Sequence, residues 1–366
     1  MPIQTAADSI SNSVGSPFGF KNRIINGAMV IDQRNAGASV TPAPTYQYTI
    51  DRWEFTVTQS SKLTTQQNAG SVTPPAGFTN YLGVTSSSAY SVTATDRFNI
   101  SQYIEGYNLA DLAWGTANAK TITISAWVYS SLTGTFGGCV VAYGSSSQYY
   151  PFTYTISSAN TWTQISVTVP GNTTTAIYTN NSVGVILQFG LGVGSTYSGT
   201  AGAWSSTEYR SATGATSVVG TSGATFYITG VQLEKGSQAT AFDYRDYGNE
   251  LRLCQRYCYT IRGVYYTRRL TIGSSTNNMI WNPQHPVPMR TTPTLLTSNF
   301  TSSTIEGFNY STGAPTGALT VIGMSEGDNY VAQVDMTFAS GISSGQSVCW
   351  RWIGSPTAYV GFQAEL

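Results

Sequence analysis

The organisation of this chain is decided by residues 226–259, FYITGVQLEKGSQATAFDYRDYGNELRLCQRYCY. Apolar side chains alternate over residues 226–229, as they do in a half-buried strand. The alternation resumes with the opposite parity at Val231 and Leu233. Gly230 lies between the two halves and is therefore predicted to form a β-bulge that resets the faces of the strand.

The second half of this stretch predicts the one helix of the chain, over residues 248–259. Asn249 and Glu250 supply a cap and an acidic first turn. Leu251, Cys254 and Cys258 then fall on one face, which we expect to be buried. Because β-type patterns lie on both sides of the helix, we expect it to connect two β-domains.

The composition favours an all-β protein. Charged residues make up 9% of the 366 residues and aromatic residues 13%, with 24 tyrosines and 37 glycines. Disordered chains contain few aromatic residues, whereas aromatic and β-branched residues with Gly-rich turns are typical of sheets. The formal net charge is zero, so no long-range field directs the chain to nucleic acid or to an anionic membrane.

Other function classes are disfavoured by what the sequence lacks. No signal peptide is evident at the start of the chain, and no apolar run approaches the ~18 residues of a membrane span. The four cysteines have no metal-site spacing, and the chain contains one histidine. We therefore expect buried free thiols rather than a zinc site, and no cofactor. Residues 1–21 lack periodicity and predict an N-terminal arm that is ordered only if a partner holds it; the alternative is a frayed terminus.

Eight strand-like segments between residues 46 and 231 predict a first domain, a β-sandwich of jelly-roll type over residues 22–247. The clearest strand is 121–129, where apolar residues share one face and Trp127 lies on the other. That second face suits either a sugar or another subunit. Residues 190–222 form a long Gly-, Ser- and Thr-rich loop, which we expect at the surface and in a functional role.

The β-pattern resumes over residues 260–366 and predicts a second, smaller β-sandwich at the tip of the molecule. Its charges are uneven: six arginines and no acid lie in residues 251–305, whereas five acids and one arginine follow from Glu306 onward. This asymmetry predicts complementary faces within or between subunits. The alternative is a contact with an anionic glycan or a phosphate.

Several motifs resemble a segment common in bacteriophage tail-fibre and receptor-binding proteins. In that family a QLE-G-AT-F strand and turn precede an EL--CQRYY helix, as in GVQLEKGSQATAF and ELRLCQRYCY here. NRIINGAMVIDQR (22–34), TIDRW (49–53) and PVPMRTTPTL (286–295) fit the same family. The resemblance implies a homotrimeric virion protein made in the host cytoplasm. Its arm would attach to other virion proteins, and its distal domain would bind a host-surface glycan or protein.

Receptor contact is predicted in the second domain, because it lies farthest along the chain from the arm and beyond the family motifs. Sugar C–H faces stack on aromatic rings, so aromatic residues beside turns are the candidates. The predicted ligand-binding residues are Trp281, Tyr310, Tyr359, Tyr265 and Tyr266. If the first domain binds the sugar instead, the sugar-facing residues are Trp114, Trp127 and Trp204.

No catalytic residue is predicted. His285 lies between prolines and no serine has the strand–turn–helix context of a nucleophile. Glu105 and Asp111 are the only carboxylates whose setting suggests a glycosidase, and nothing distinguishes them from surface acids. We therefore predict a non-enzymatic tail fibre. The alternatives are a capsid or baseplate decoration protein that binds no host, and a polysaccharide-degrading spike.

Overall fold

The computed structural model describes residues 20–262, 268–298, 305–309, 312, 314–352 and 359–366. The predicted arm lies outside this part of the chain except for Phe20 and Lys21. The predicted fold class is confirmed, since strands arranged in sandwiched sheets dominate the described residues and one α-helix accompanies them. Within this part of the chain, no helix has the length and apolar character needed to cross a membrane.

The chain divides into two compact units. The first contains residues 20–30, Ser39–Thr49 and Trp53–Arg245, and the second contains Ile31–Ala38, Ile50–Arg52 and Asp246–Leu366. The main boundary thus lies close to the predicted one at residue 247. The two short early segments, which the sequence placed in the first domain, belong instead to the second unit.

Charged contacts explain why these early segments belong to the second unit. Arg34 Nη2 donates to Glu365 Oε1 at 2.9 Å, and Arg52 also bonds to the Glu365 carboxylate. The Arg52 guanidinium lies 3.6 Å from the centre of the Tyr257 ring. Removing one partner of these buried groups would leave the other charge unpaired, which is strongly unfavourable. These contacts therefore tie both early segments to the second unit.

The first unit is a β-sandwich of jelly-roll type, and all but two of its strands form two antiparallel sheets. Its strands are β1 Thr45–Ile50, β2 Trp53–Val57, β3 Leu63–Gln67, β4 Leu82–Ser86, β5 Arg97–Glu105, β6 Ile122–Ser130, β7 Gly134–Ala142, β8 Gln148–Ile156, β9 Thr163–Val169, β10 Val183–Val193, β11 Ser198–Gly199, β12 Ser211–Ala212 and β13 Thr225–Lys235. One sheet has the order β1-β2-β5-β10-β7-β8 and the other β3-β4-β13-β6-β9. Strands β11 and β12 form a short parallel pair inside the long loop after β10.

Strand β6 shows how the pattern builds the core. Ile122, Ile124 and Val128 are fully buried between the sheets, as their alternation predicts. The predicted bulge in β13 is also confirmed: pairing with β6 jumps from Thr229 to Gln232, and Gly230 has a φ of 61°. Glycine adopts this left-handed conformation without the penalty that a Cβ would impose.

The second unit contains the α-helix and two further sheets. Its elements are α1 Tyr247–Gln255, β14 Cys258–Arg262, β15 Arg268–Ser275, β16 Asn278–Trp281, β17 Thr294–Ser298, β18 Ile305–Asn309, β19 Ala314–Pro315, β20 Leu319–Gly327, β21 Ala332–Phe338, β22 Ser347–Trp352 and β23 Tyr359–Gln363. The sheet orders are β19-β18-β22-β15-β16-β21-β20 and β14-β23-β17. The core of this unit includes Met279, Met336, Trp350 and Phe362.

The helix differs from the predicted one at both ends. Asp246 is its N-cap and accepts from the Asn249 amide at 3.0 Å, so Asn249 lies inside the helix. Cys258 already belongs to β14. Cys254 is buried as predicted. The other buried helix residue is Glu250, whereas Leu251 is half-buried, so the buried face is rotated by about one residue from the predicted one. All four cysteines are buried free thiols, as expected.

Candidate functional site

Of the candidate residues in the second unit, Trp281 and Tyr359 lie within the described residues, and neither offers a ring face to a ligand. Trp281 is 8% exposed and packs edge-to-face on Trp350, with ring centroids 5.0 Å apart. Tyr359 is 6% exposed, and the Arg262 guanidinium lies over its ring. Prediction of these two as stacking platforms is therefore wrong, because core packing occupies both rings. Tyr265, Tyr266 and Tyr310 lie outside the described residues.

Two of the alternative candidates come together in the first unit. Trp114 is 4% exposed and packs edge-to-face on Trp204 at 5.4 Å. Their indole nitrogens donate to the backbone carbonyls of Lys120 at 2.8 Å and Pro170 at 2.9 Å. Since these bonds and contacts hold the loops together, the pair has a structural role. Trp127 lies elsewhere, half-buried in the five-stranded sheet opposite Thr229.

The outer face of the five-stranded sheet carries an aromatic cluster near Trp127. Tyr227 stacks on Tyr129 at 5.2 Å with an interplanar angle of 7°, and on Tyr81 at 5.1 Å. Trp162 contacts both Tyr81 and Tyr129 at 5.5 Å. Because these rings cover one another's faces, the cluster stabilises the sheet and leaves little ring surface for stacking a sugar.

The outer face of the six-stranded sheet has a different arrangement. One row of directly opposite residues crosses four strands, in the order Tyr103, Ile186, Val141 and Tyr149. Ile186 and Val141 are buried, while the two tyrosines are half-buried at the ends of the row. Tyr209, from the long loop after β10, packs against the same apolar residues. We call Tyr46, Tyr103, Tyr149 and Tyr209 the tyrosine face.

Tyr46 belongs to this set because its phenol is close enough to Tyr103 to contribute to the raised pKa of that residue. It lies on β1 at the edge of the same sheet and is 60% exposed. Burial, followed by the carboxylate of Glu54, raises the pKa of Tyr103, which therefore keeps its proton at neutral pH. The Tyr103 phenol can therefore donate a hydrogen bond.

An ion pair lies beside the tyrosine face. Arg210 Nε donates to Glu208 Oε1 at 3.0 Å, and a second guanidinium nitrogen bonds to the same oxygen. Burial by itself would lower the pKa of Arg210, but the Glu208 carboxylate raises it overall. Tyr103 and Tyr149 are also within electrostatic reach of Arg210. The pair places charged donors and acceptors among the rings without adding net charge.

Two glycines allow the long loop to lie on the sheet. A Cβ built on Gly137 would lie 2.4 Å from Ser211 Oγ and 2.9 Å from the Ala212 amide nitrogen, and one on Gly190 would lie 2.7 Å from Ser211 Oγ. All three distances are below 3.0 Å, which real Cβ atoms essentially never show. Glycine at these positions is therefore what lets β12 approach the sheet and position the neighbouring Arg210.

Buried polar groups line the sheet under this loop. Gln188 Nε2 donates to Ser101 Oγ at 3.2 Å, and Asn99 Nδ2 donates to the Arg210 carbonyl at 3.2 Å. Within the described part of the chain, Gln188 Oε1, Asn99 Oδ1 and Ser211 Oγ have no hydrogen-bond partner. Buried oxygens of this kind are normally satisfied by ordered water. The part of the sheet surface that the loop covers is therefore polar, unlike the apolar floor at Ile186 and Val141.

Further exposed tyrosines extend the face toward one end of the sandwich. Tyr143 and Tyr178 are each 40% exposed, with ring centroids 6.2 Å apart, and Tyr107 is 63% exposed. The Tyr178 amide donates to the Tyr143 carbonyl, and the Tyr107 amide donates to the carbonyl of Asn180. Tyr143 is also within electrostatic reach of Tyr149. The exposed tyrosine rings thus extend from the tyrosine face onto neighbouring loops that are held in place by backbone hydrogen bonds.

The two carboxylates considered for catalysis have structural partners. Glu105 is 2% exposed. Asp111 accepts from Arg23 Nη2 and Lys235 Nζ, each at 2.8 Å, and these cations lower its pKa although burial opposes them. A general acid requires the opposite shift. Within the described residues, no cluster of three or more His, Cys, Asp or Glu side chains could hold a metal ion.

Sequence reasoning missed the tyrosine face, although one signal pointed to it. The sequence predicts a functional role for the loop at residues 190–222, and this loop supplies both Tyr209 and Arg210. Tyr103 and Tyr149 could not be connected to it from the sequence. They lie on β5 and β8, which meet only through the two strands between them in the sheet.

No protein-family model matches this chain, and no curated protein matches it. Solved structures of similar fold include the enzymatically active domain of tailspike protein 4 from bacteriophage CBA120, at 12% identity and a TM-score of 0.33. That match covers 59% of this chain and 21% of the tailspike chain, so this chain corresponds to about a fifth of its length.

Two further structures are sugar-related by their descriptions. A putative sugar-binding protein from Bacteroides thetaiotaomicron matches at 10% identity and a TM-score of 0.35, over 59% of this chain and all of that chain. A family 11 carbohydrate-binding module from Clostridium thermocellum, in complex with a mixed-linked tetrasaccharide, matches at 10% identity and a TM-score of 0.28, over 54% of this chain and all of that chain.

Proposed function

We propose that this chain is a glycan-binding virion protein of the tail-fibre type, and that its first unit binds the glycan at the tyrosine face. The observation that carries the proposal is the row from Tyr103 to Tyr149, with its apolar floor of Ile186 and Val141 and the half-buried Tyr209 beside it. This relocates the receptor contact from the second domain to the first.

The chemistry of the face suits an uncharged sugar. Sugar rings present C–H groups on their faces and hydroxyls at their edges, so they require flat apolar surfaces flanked by hydrogen-bonding groups. Half-buried tyrosines supply the flat surface at a low cost in conformational entropy. Glu208 and Arg210 supply an acceptor and a fork of donors for the hydroxyls. Arg97 also forms an ion pair with Glu208, at 3.7 Å, and the Glu54 carboxylate bonds to the Tyr103 hydroxyl. The two arginines and two glutamates balance, so the face carries no excess charge that would select an anionic ligand.

The virion role rests on the resemblance to phage tail-fibre proteins rather than on the geometry. In this proposal the chain forms a homotrimer on the surface of the particle, and residues 1–21 attach it to other virion proteins. The tyrosine face then binds the host-surface glycan without cleaving it. Three copies would raise the avidity of a weak single site, since each further contact is intramolecular once the first has formed.

The test measures binding of the full chain to a panel of isolated bacterial lipopolysaccharides and capsular polysaccharides. Tyr149→Ala and Tyr209→Ala should each weaken the binding of a single site by about fivefold, since one stacked ring contributes about 1 kcal/mol. Tyr244→Ala is the matched control, because Tyr244 is 57% exposed and packs with Phe78 and Phe242 instead. Parent-like binding by both site variants would refute the proposed site, and a parent that binds no polysaccharide would refute the function.

A further inference from the structure

The tyrosine face continues past the end of β7 into the loop that joins β7 to β8. Tyr143 begins this loop, two residues after Val141, and its amide still donates to the Gly184 carbonyl of β10 at 2.9 Å. The alternation of β7 therefore directs Tyr143 to the same face as Val141. Because Val141 lies directly opposite Tyr149, Tyr143 is a diagonal neighbour of Tyr149, at about 7–8 Å.

A second loop, which leads into β10, places Tyr178 beside Tyr143. A Cβ built on Gly106 would lie 2.2 Å from the Tyr178 carbonyl oxygen, and one on Gly184 would lie 2.8 Å from the same oxygen. Glycine at these two positions is therefore what allows the loop to approach the sheet this closely. The Tyr178 amide donates to the Tyr143 carbonyl at 3.2 Å, and the two ring centroids are 6.2 Å apart. Backbone contacts thus fix the position of Tyr178, while its ring stays exposed.

The two loops that carry these rings are polar and uncharged. Residues 143–147 and 172–182 contain no charged side chain. Ser145, Thr179 and Asn180 are exposed and offer hydroxyl and amide groups as donors and acceptors. An exposed pair of aromatic rings flanked by uncharged hydrogen-bonding groups has the chemistry that a sugar requires, because the C–H faces of a sugar stack on rings and its hydroxyls need polar partners.

The rings at both ends of this extended row are exposed. Tyr46, on the edge strand β1, is 60% exposed, and Tyr107, whose amide donates to the carbonyl of Asn180, is 63% exposed. A pocket for a small ligand encloses most of the surface of that ligand. A row whose end rings are open to solvent instead lets a polymer enter at one end and leave at the other. The arrangement therefore favours the interior of a chain over its terminus.

We propose that Tyr143 and Tyr178 form a second sugar-binding subsite beside the tyrosine face, and that the ligand is an internal stretch of an uncharged polysaccharide. One sugar residue then stacks in the tyrosine face around Tyr149, and a later residue of the same chain stacks on the Tyr143–Tyr178 pair. This inference rests on the proposed function and specifies its ligand as a chain rather than a single terminal sugar. Affinity should therefore rise with the length of the bound fragment until both subsites are filled.

The test uses the polysaccharide of the panel that the parent binds, cut by partial acid hydrolysis into fragments of increasing length. Tyr143→Ala and Tyr178→Ala should each weaken the binding of long fragments by about fivefold and leave the binding of the shortest bound fragment unchanged. Tyr143→Phe and Tyr178→Phe keep the rings and should keep most of the preference for long fragments. Tyr244→Ala is again the control and should bind every fragment like the parent.

A second measurement needs no variant. Nitration of the parent by tetranitromethane, read by the mass of its peptides, should slow at Tyr143 and Tyr178 when the polysaccharide is saturating, and should stay unchanged at Tyr244. Equal nitration of Tyr143 and Tyr178 with and without the polysaccharide would refute the subsite, even if the alanine variants failed to fold.

The outcomes separate this inference from the proposed function. A parent that binds no polysaccharide refutes the function and the subsite together. Binding that Tyr149→Ala and Tyr209→Ala weaken, but that Tyr143→Ala and Tyr178→Ala leave unchanged at every fragment length, refutes the subsite alone. An equal loss for short and long fragments in Tyr143→Ala and Tyr178→Ala would also refute a separate subsite, and an equal loss in the phenylalanine variants would refute stacking as its basis.

Discussion

Tyr103 and Tyr149 stand at the two ends of one row of side chains across the six-stranded sheet, and they flank the same apolar floor. The two tyrosines differ in their polar surroundings. The Tyr103 hydroxyl bonds to the Glu54 carboxylate, whereas Tyr149 is within electrostatic reach of the Glu208–Arg210 pair. One hydroxyl is therefore committed to the fold, and the other faces the groups proposed to bind a ligand.

This difference predicts separate effects of removing each hydroxyl. Tyr103→Phe leaves Glu54, which is 2% exposed, without one of its donors, so we expect a loss of about 1–2 kcal/mol in the free energy of unfolding. Tyr149→Phe should change stability by less than about 0.5 kcal/mol. Denaturant unfolding of both variants checks the prediction, and equal losses would contradict it.

Gly137→Ala should loosen the loop that carries Tyr209 and Arg210. The added Cβ would lie 2.4 Å from Ser211 Oγ and 2.9 Å from the Ala212 backbone, so β12 must move away from the sheet. We expect faster amide hydrogen exchange over residues 205–216 and weaker glycan binding, with little change elsewhere in the sandwich. Gly214→Ala provides a comparison, because open space surrounds its Cβ position, although its φ of 77° adds backbone strain. Parent-like exchange in Gly137→Ala would show that the loop is not held there.

Asp96 should make the first unit sensitive to acid. Its carboxylate accepts from the Thr93 amide, Tyr90 Oη and Thr58 Oγ1, at 2.7–2.8 Å. Burial alone would raise the pKa of Asp96, but these bonds lower it to about 2. A lowered pKa stabilises the folded state above the unfolded value near 4, and this stabilisation is lost as the pH falls toward 2.

Asp96→Asn should therefore reduce the stability at pH 7 by about 1–3 kcal/mol, since it removes charge-assisted bonds. It should also flatten the decline in melting temperature of the first unit between pH 4 and pH 2. Thermal unfolding across this range checks both effects. An equally steep decline in the variant would show that other carboxylates control acid unfolding.

Asp51 should have the opposite effect in the second unit. Burial raises its pKa to about 7, although Arg34 and two hydrogen bonds from Gln33 oppose the shift. A raised pKa stabilises the folded state below the unfolded value near 4, and the contribution is lost as the pH rises through 7. Asp51→Asn should therefore reduce the difference in melting temperature between pH 5 and pH 8. An unchanged difference would exclude Asp51 as its source.

Trp281 should behave as a core residue and not as a ligand contact. Trp281→Ala should reduce the free energy of unfolding of the second unit by about 3–5 kcal/mol, because it removes a ring packed on Trp350. Trp281→Phe keeps part of the packing and should cost less. Both variants are compared by denaturant unfolding and by polysaccharide binding. A variant with parent stability and lost binding would reinstate the sequence prediction.

The sequence by itself determined the features that depend on neighbouring residues. Alternation placed Ile122, Ile124 and Val128 in the core, and the change of parity identified the bulge at Gly230. Both follow from the two-residue period of a strand, which a short segment contains in full. The all-β class followed in the same way from composition and turn residues, which are summed along the chain.

Only the tertiary structure decided which faces meet. Trp281 and Tyr359 have turn residues beside them in the sequence, yet both are buried, because burial depends on the strands that pack above them. Tyr103, Tyr149 and Arg210 come from segments far apart in the sequence, and the strand order of the sheet and the close approach allowed by Gly137 bring them together. Period and propensity are local properties, whereas a binding face is made by contacts between distant segments.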